Sequence, residues 1–155
     1  MARNEVFIGA APERVYEVLS APASYSEWVV GTQKIRAADP DWPQPGSEFA
    51  HSVGTGPLRI NDRTRVVDAE PPVMLKLRAC ARPLPSADVT LLLQPEGDGT
   101  RLTMLEAPSR ALLSALAGPL GHWVLALRNG ESLRRLKELV EDGRTPARRP
   151  ASRVS

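Results

Sequence analysis

The feature that most constrains the fold of this chain is one long amphipathic helix, predicted over residues 119–140 after an almost unbroken run of strand-like sequence. At 100° per residue, its apolar, small and uncharged polar side chains gather on one face. That face carries Gly118, His122, Leu125, Ala126, Asn129, Leu133, Leu136 and Val140. A buried helix face with a histidine and an asparagine either satisfies internal hydrogen bonds or lines a cavity. We therefore expect a closed core under the C-terminal half of the helix and a pocket under its N-terminal half.

The sequence before this helix predicts one strand, two short helices and six further strands. Residues 6–8 form the first strand, Pro12 stands where the first turn of a helix tolerates proline, and residues 23–28 form a second short helix. From residue 33 onward the segments alternate between apolar and polar residues, as half-buried strands do. An antiparallel sheet that is apolar on one side needs a cover, and the C-terminal helix is the only predicted element of sufficient length.

The alternation also assigns side chains to the two faces of the sheet. Polar residues predicted on the inner face of strands are His51, Asp62 and Glu106. Apolar residues expected to share that face include Phe49, Val73, Leu77 and Met104. Cys80 falls on the outer face, and nothing near it in the sequence resembles a catalytic base.

Composition and charge exclude several classes of protein. Of the 20 basic residues, four lie beyond Gly143, where no acidic residue occurs, so residues 1–143 carry 16 basic against 18 acidic side chains. A mildly acidic globular part argues against nucleic acid as a partner, because nucleic-acid surfaces need clustered positive charge. We expect a single domain over residues 1–141 and a disordered basic tail over 142–155.

The same sequence bears on location, oligomeric state and metal content. Its single cysteine excludes an intramolecular disulfide and a cysteine-cluster metal site. Two histidines with dispersed acids lack compact ligand spacing, so neither a metal nor another cofactor is indicated. The N-terminus lacks the apolar stretch of a signal peptide, and no segment reaches a membrane-spanning length. The expectation is a cytoplasmic monomer or homodimer without stable membrane insertion.

Three segments together resemble the SRPBCC superfamily of START/Bet v 1-like proteins, which includes polyketide cyclase/dehydrase-like proteins. They are IGAAPERVYEVLSAPASYSEW near the start, VGTGPLRINDRTRVVDAEPPVMLKLRA in the middle and ALRNGESLRRLKELVE at the end. The resemblance covers residues 3–141. It implies an α+β helix-grip fold, in which a curved antiparallel sheet of about seven strands wraps around the C-terminal helix. It also implies a deep cavity for a hydrophobic small molecule, but it supplies no catalytic motif that could be carried over.

Candidate functional residues therefore follow from the face on which they lie. A carboxyl group near a histidine in a dry cavity can act as a general acid–base pair. Candidates for such a role are His51, Asp62, Glu106 and His122. The structural alternatives are a backbone-bonded Asp62, a Glu106 that reaches solvent at the cavity mouth, and core hydrogen bonds for the histidines. Residues predicted to contact a ligand are Trp28, Phe49, His51, Leu77, Met104, His122, Ala126 and Asn129.

The other two tryptophans predict different surroundings. Trp42 lies in a proline-rich loop and is expected to cover a surface edge and to gate the cavity entrance. Trp123 lies on the opposite helix face from the core, with Leu120, Val124 and Leu127. An apolar patch of this kind is covered in the folded protein, either by residues 112–116 folding back as a lid or by a second chain.

Three functions remain open from the sequence. The first is binding of a hydrophobic small molecule (lipid-, aromatic- or polyketide-like) between the sheet and the C-terminal helix. The second is a cyclase/dehydratase-type enzyme with His51 or His122 as base and Asp62 or Glu106 as its partner. The third is an interaction module that binds a partner protein through the Trp123 patch.

Overall fold

The predicted order of one strand, two short helices, six strands and one long helix is confirmed. The computed structural model describes residues 2–55, 58–80, 86–108 and 119–143, and within these ranges the side chains of 53–55, 58–60, 108 and 119–127 are left undescribed. A 3-10 turn, Pro22–Ser24, precedes the second helix. The elements are β1 Ala2–Ile8, α1 Pro12–Leu19, α2 Tyr25–Trp28, β2 Thr32–Ala38, β3 Glu48–Thr55, β4 Leu58–Glu70, β5 Met74–Cys80, β6 Ala87–Glu96, β7 Gly99–Pro108 and α3 Pro119–Glu141.

All seven strands form one antiparallel sheet in the order β1-β7-β6-β5-β4-β3-β2. The first strand pairs with the last, so that Ala2 lies opposite Glu106 and Ile8 opposite Thr100. The two edge strands, β1 and β2, are consecutive along the chain and are joined through α1 and α2. The α+β helix-grip fold predicted from the sequence is confirmed.

The predicted division of β4 into an inner and an outer face is also confirmed. Asp62, Thr64 and Val66 are buried, whereas the alternate residues Asn61, Arg63 and Arg65 are exposed. The prediction fails at Val73, which is 48% exposed. Val73 lies in the turn before β5 begins at Met74, so the alternation of the strand does not extend to it.

Helix α3 packs the C-terminal half of its apolar face into the core. Leu133, Leu136, Leu139 and Val140 are each at most 3% exposed. They belong to one cluster with buried side chains of α1 and of the strands β1, β4, β5, β6 and β7. At about 25 cal/mol per Å² of apolar surface, fully burying each leucine stabilises the fold by about 1.5–3 kcal/mol. The closed core predicted under this half of the helix is present.

Polar contacts attach α3 to both edges of the sheet. On the β1 side, Lys137 Nζ donates to Phe7 O at 2.7 Å, and Gly9 N donates to Glu141 Oε2 at 3.0 Å. On the β2 side, Val30 N donates to Ser132 Oγ at 3.0 Å, and Arg128 Nε donates to Val30 O at 3.2 Å. The helix therefore bridges the two edges of the curved sheet.

Beyond the helix, two further predictions concern termini and membranes. The amides of Asp142 and Gly143 donate to the carbonyls of Glu138 and Val140 and end α3. The remainder of the predicted tail, 144–155, lies outside the described residues. Within the described part of the chain, no helix has both the length and the apolar character needed to cross a bilayer.

Candidate functional site

The principal polar group of the interior is formed by His51 of β3 and Asp62 of β4. These residues are direct partners in the β3–β4 register, so their side chains leave the sheet on the same face. His51 Nε2 lies 3.2 Å from Asp62 Oδ2, and both side chains are only 7% exposed. The sequence placed both residues on the inner face, and the structure brings them into contact.

Two threonines complete the surroundings of the imidazole. Thr64 Oγ1 lies 3.0 Å from His51 Nε2, and Thr32 Oγ1 lies 3.5 Å from Nδ1. Both ring nitrogens thus have a hydroxyl neighbour, which fixes the plane of the ring. The hydroxyls can donate or accept, so they accommodate either tautomer of the ring and its protonated form.

Asp62 lacks the full set of hydrogen-bond donors that a buried carboxyl group with a purely structural role normally has. Its Oδ1 atom is buried and, among the described residues, has no hydrogen-bond donor. Leaving a buried acceptor unpaired costs about 1–3 kcal/mol, and more for a charged group. The expected hydrogen bond between Asp62 and nearby backbone is absent among the described residues, where the partner of Oδ2 is His51. One oxygen is left available for a further donor.

An aromatic cluster adjoins this polar group. The Phe49 ring lies 5.1 Å from the His51 ring and 4.9 Å from the Tyr25 ring, measured between centroids. The Trp42 ring contacts Phe49 at 4.6 Å and Tyr25 at 5.8 Å, both edge to face. Burial raises the pKa of the Tyr25 hydroxyl well above its usual range, and nearby Tyr16 adds to the effect. The hydroxyl donates to Leu19 O and stays neutral.

Trp42 corrects the sequence prediction. It does not cover a surface edge, because it is only 7% exposed and belongs to the main hydrophobic core. Its Nε1 donates to Leu19 O at 3.3 Å, which ties the β2–β3 loop to the end of α1. The residue packs on Phe49, which in turn contacts His51, and its buried position argues against a gating role.

Trp28, which the sequence predicts as a ligand contact, lies in the hydrophobic core. It is 2% exposed and lies 5.1 Å from the Tyr25 ring. Its Nε1 atom is buried and, within the described part of the chain, has no acceptor. Buried indole N–H groups usually find a partner, so this donor is a second unmet hydrogen-bonding position on the aromatic side of the interior.

A second polar group lies on β7 and α3. Asn129 Nδ2 donates to Glu106 Oε2 at 2.6 Å, and the two residues are 4% and 5% exposed. Glu106 therefore does not reach solvent, contrary to one expectation from its position near Pro108. The reason is that Asn129 of α3 lies over the carboxyl group and supplies an amide donor.

The two polar groups are separated by an apolar floor. Glu106 pairs with Val89, Val89 with Leu77 and Leu77 with Val66, across four neighbouring strands. Three strand spacings, about 14 Å, separate Glu106 from Val66, which lies four residues along β4 from Asp62. Leu77 and Met104, both predicted to contact a ligand, are 5% and 4% exposed on this face. The inner face thus offers an apolar surface with a polar group at each side.

Several predicted positions lie outside the described side chains. His122 and Ala126 are in this group, as are all members of the Trp123 patch. The lid predicted over residues 112–116 lies outside the described residues. Their roles remain predictions. The Glu106–Asn129 hydrogen bond is a described polar contact between the inner face of α3 and the sheet.

Three hydroxyl residues were not predicted as site residues. Thr32 and Thr64 contact the imidazole, and Ser132 binds the backbone of Val30. Thr64 alternates with Asp62 on β4, and Ser132 lies three residues after Asn129, so periodicity gives a signal for both. Thr32 had no such signal, because its contact with His51 depends on an irregular register between β2 and β3.

The chemistry of this arrangement is that of binding and proton transfer. Among the described residues, no three His, Cys, Asp or Glu side chains lie close enough together to hold a metal ion. The imidazole and the carboxyl group of Asp62 form a contact suited to general acid–base catalysis. The aromatic cluster adjoins His51, and the apolar floor lies on the same inner face of the sheet.

Comparisons with known proteins agree with this architecture. Residues 2–141 match the sequence model of a family described as polyketide cyclase / dehydrase and lipid transport. No curated protein matches the chain.

Similar solved structures span nearly the whole fold. A conserved protein from Geobacillus kaustophilus has a TM-score of 0.74 at 16% identity, covering 91% of this chain and 95% of its own. Ara h 8.0201 has a TM-score of 0.70 at 8% identity, covering 90% and 96%. DynU16, from the dynemicin biosynthetic locus, has a TM-score of 0.68 at 19% identity, covering 93% of this chain and 48% of its own. These identities establish a shared fold.

Proposed function

Because this chain belongs to the polyketide cyclase/dehydrase and lipid transport family, we propose that it binds a hydrophobic small molecule between the inner face of its sheet and helix α3. The ligand is lipid-, aromatic- or polyketide-like. It lies over the apolar floor of Leu77 and Met104, beside the aromatic cluster of Phe49, Trp42, Tyr25 and Trp28.

One observation carries this proposal: buried polar side chains from five elements form two groups on an otherwise apolar inner face. They are Thr32 of β2, His51 of β3, Asp62 and Thr64 of β4, and Glu106 of β7, with Asn129 of α3 bonded to the last. Burying polar groups is costly, and a core needed only for stability would be better served by apolar residues. A ligand that forms hydrogen bonds with these groups would explain why the protein buries polar side chains despite the unfavourable free energy.

The position of the polar residues supports the same conclusion. Asp62 lies in the half of β4 that begins at Leu58, and Glu106 lies in the half of β7 that ends at Pro108. His51 lies opposite Asp62 on β3. Leu133, Leu136 and Val140 of α3 are packed into the core farther along the helix. The interior is therefore apolar where the C-terminal half of α3 packs on the sheet, and it contains polar side chains around Asp62 and Glu106.

The proposal is tested with the purified full-length protein and the uncharged fluorescent probe N-phenyl-1-naphthylamine. Binding is expected to enhance the probe's fluorescence saturably and to quench tryptophan emission, because Trp28 and Trp42 adjoin the proposed site. Native mass spectrometry of protein from its own host, followed by denaturing extraction, identifies a co-purifying ligand. Failure of the probe to bind, together with an empty protein, contradicts the proposal.

A second candidate function is a cyclase/dehydratase-type reaction, favoured by the 3.2 Å contact between His51 Nε2 and Asp62 Oδ2. In that case His51 takes a proton from carbon or oxygen of a bound polyketone and Asp62 orients the ring. His51→Gln then abolishes turnover of a polyketone while leaving probe affinity within a few-fold. If turnover of wild-type protein does not exceed the uncatalysed rate, the enzyme hypothesis is wrong and the binding proposal is unaffected.

A further inference from the structure

The buried polar groups of the interior have an unbalanced set of charges. Two carboxyl groups, those of Asp62 and Glu106, are each 5% exposed. None of the buried polar side chains that the structure describes is a lysine or an arginine. The one described buried group that can become cationic is His51, and it already lies beside Asp62.

Beside His51, the hydrogen-bonding capacity is unbalanced in the same direction, whereas the unmet group of Trp28 on the aromatic side is an N–H donor. Glu106 Oε2 accepts from Asn129, whereas Asp62 Oδ1 accepts from none of the described residues. The buried atom beside His51 that lacks a partner, Asp62 Oδ1, therefore requires a hydrogen-bond donor. A hydroxyl group supplies one without adding a charge to the interior.

We infer that the ligand is an uncharged molecule whose hydroxyl group donates to Asp62 Oδ1, and that carboxylate ligands such as fatty acids are rejected. This inference rests on the proposed function and names the chemical class of its ligand. The apolar part of the ligand lies against Phe49 and the floor around Leu77.

The rejection of carboxylates follows from electrostatics. A ligand carboxylate would be a third carboxyl group in a region where burial in low dielectric penalises charge and like charges disfavour one another. It would also have to compete with Asp62 for His51. An isolated ionised carboxylate is costly to bury, so this ligand would bind protonated or not at all. An alcohol or phenol of the same shape is uncharged, so its binding neither buries a charge nor brings two like charges together.

The test compares three ligands with one aromatic skeleton, each displacing N-phenyl-1-naphthylamine at pH 7 and moderate salt. 2-Naphthol is expected to bind on the order of fivefold more tightly than naphthalene, which corresponds to one net hydrogen bond. 2-Naphthoate is expected to bind more weakly than both. Naphthoate affinity equal to or above that of naphthol overturns the inference.

Two substitutions at Asp62 separate its two roles. Asp62→Leu removes the acceptor, so the preference for naphthol over naphthalene is expected to disappear. Asp62→Asn removes the negative charge and is expected to raise naphthoate affinity relative to naphthol. Unchanged preferences in both variants overturn the assignment of Asp62.

The control is Asp68→Asn, the same chemical change on the same strand at an exposed position. It is expected to leave all three affinities unchanged. The wild-type comparison needs no variant, so it decides the ligand class even if an Asp62 substitution prevents folding. Failure of the probe itself to bind contradicts the proposed function, whereas probe binding without the naphthol preference contradicts the ligand class alone.

Discussion

His51 and Asp62 face each other across β3 and β4, with Nε2 of the imidazole 3.2 Å from Oδ2 of the carboxyl group and both side chains buried. Buried pairs of this kind are costly to break but add little to stability as a whole. Their energetics therefore distinguish a pair kept for function from one kept for folding.

The first prediction concerns the coupling of this pair. His51→Leu and Asp62→Leu are each expected to lower the free energy of unfolding by about 1–3 kcal/mol, because each leaves a buried polar partner unpaired. The double variant, which removes both polar groups, is expected to lie within about 1 kcal/mol of wild type. Urea denaturation of the four proteins gives the coupling energy. Additive losses would show that the two side chains act independently.

The second prediction concerns the contact between Asn129 and Glu106. Asn129→Ala removes the 2.6 Å donor from a buried carboxyl group and is expected to cost about 2–3 kcal/mol of unfolding free energy. Glu106→Gln is the matched control, since it keeps an acceptor oxygen for Asn129 Nδ2, and a smaller loss is expected. Chemical denaturation measures both. Equal losses in the two variants contradict the importance of the donor.

The third prediction contrasts two glycines. A Cβ at Gly130, inside α3, would meet Asn4 Nδ2 at 3.6 Å, an ordinary contact. Gly130→Ala is therefore expected to raise the unfolding free energy by about 0.5–1 kcal/mol, because alanine favours the helix. A Cβ at Gly99 would overlap Ile8 O and would lie 2.6 Å from the Phe7 ring. Gly99→Ala is expected to destabilise the protein, since β1 must shift away from β7.

Thermal denaturation of both glycine variants tests this contrast. Both substitutions add one methyl group, so the opposite signs expected for the change in unfolding free energy arise from the surroundings of the two glycines. A Gly99→Ala protein as stable as wild type would show that the β1–β7 contact is not as close as described.

The fourth prediction concerns pH. The Gly9 amide and Lys137 hold the pKa of Glu141 below its ordinary value of 4.5. Because the folded pKa is the lower one, Glu141 stabilises the protein above the unfolded pKa, and this contribution is lost as pH falls through the folded pKa. Glu141→Gln is expected to lower the melting temperature at pH 7 and to leave it nearly unchanged at pH 2–3.

The Glu141 effect is small because the side chain is partly exposed, about 0.5–1 kcal/mol at most, and it is reduced by salt. Melting curves from pH 2 to pH 8 at two salt concentrations measure it. A constant difference between Glu141→Gln and wild type over the whole range contradicts the assignment.

The sequence alone predicted the fold and the inner-face positions of His51, Asp62, Glu106 and Asn129. These predictions depend on local periodicity, which is two residues in a strand and 3.6 in a helix. The alternation around Asp62 was unambiguous because exposed polar or charged residues flank it on both sides.

The partners of these residues could not be predicted in the same way. The carbonyl of Leu19 that accepts from Trp42 is 23 residues away, and so is the Asn129 that donates to Glu106. Both contacts depend on how the loop after β2 and helix α3 are placed over the sheet. A proline-rich loop gives no local signal that its tryptophan turns inward, and hence Trp42 was misplaced.

The attachment of α3 to both edges of the sheet has a consequence for the order in which this chain is synthesised and folds. The first strand has no partner until β7 has formed, and the inner face has no cover until α3 follows. Contacts so distant along the chain slow folding and prolong the exposure of apolar surface. We expect the apolar inner face of the nascent chain to stay exposed, and the chain to be prone to aggregation, until residue 141 has emerged.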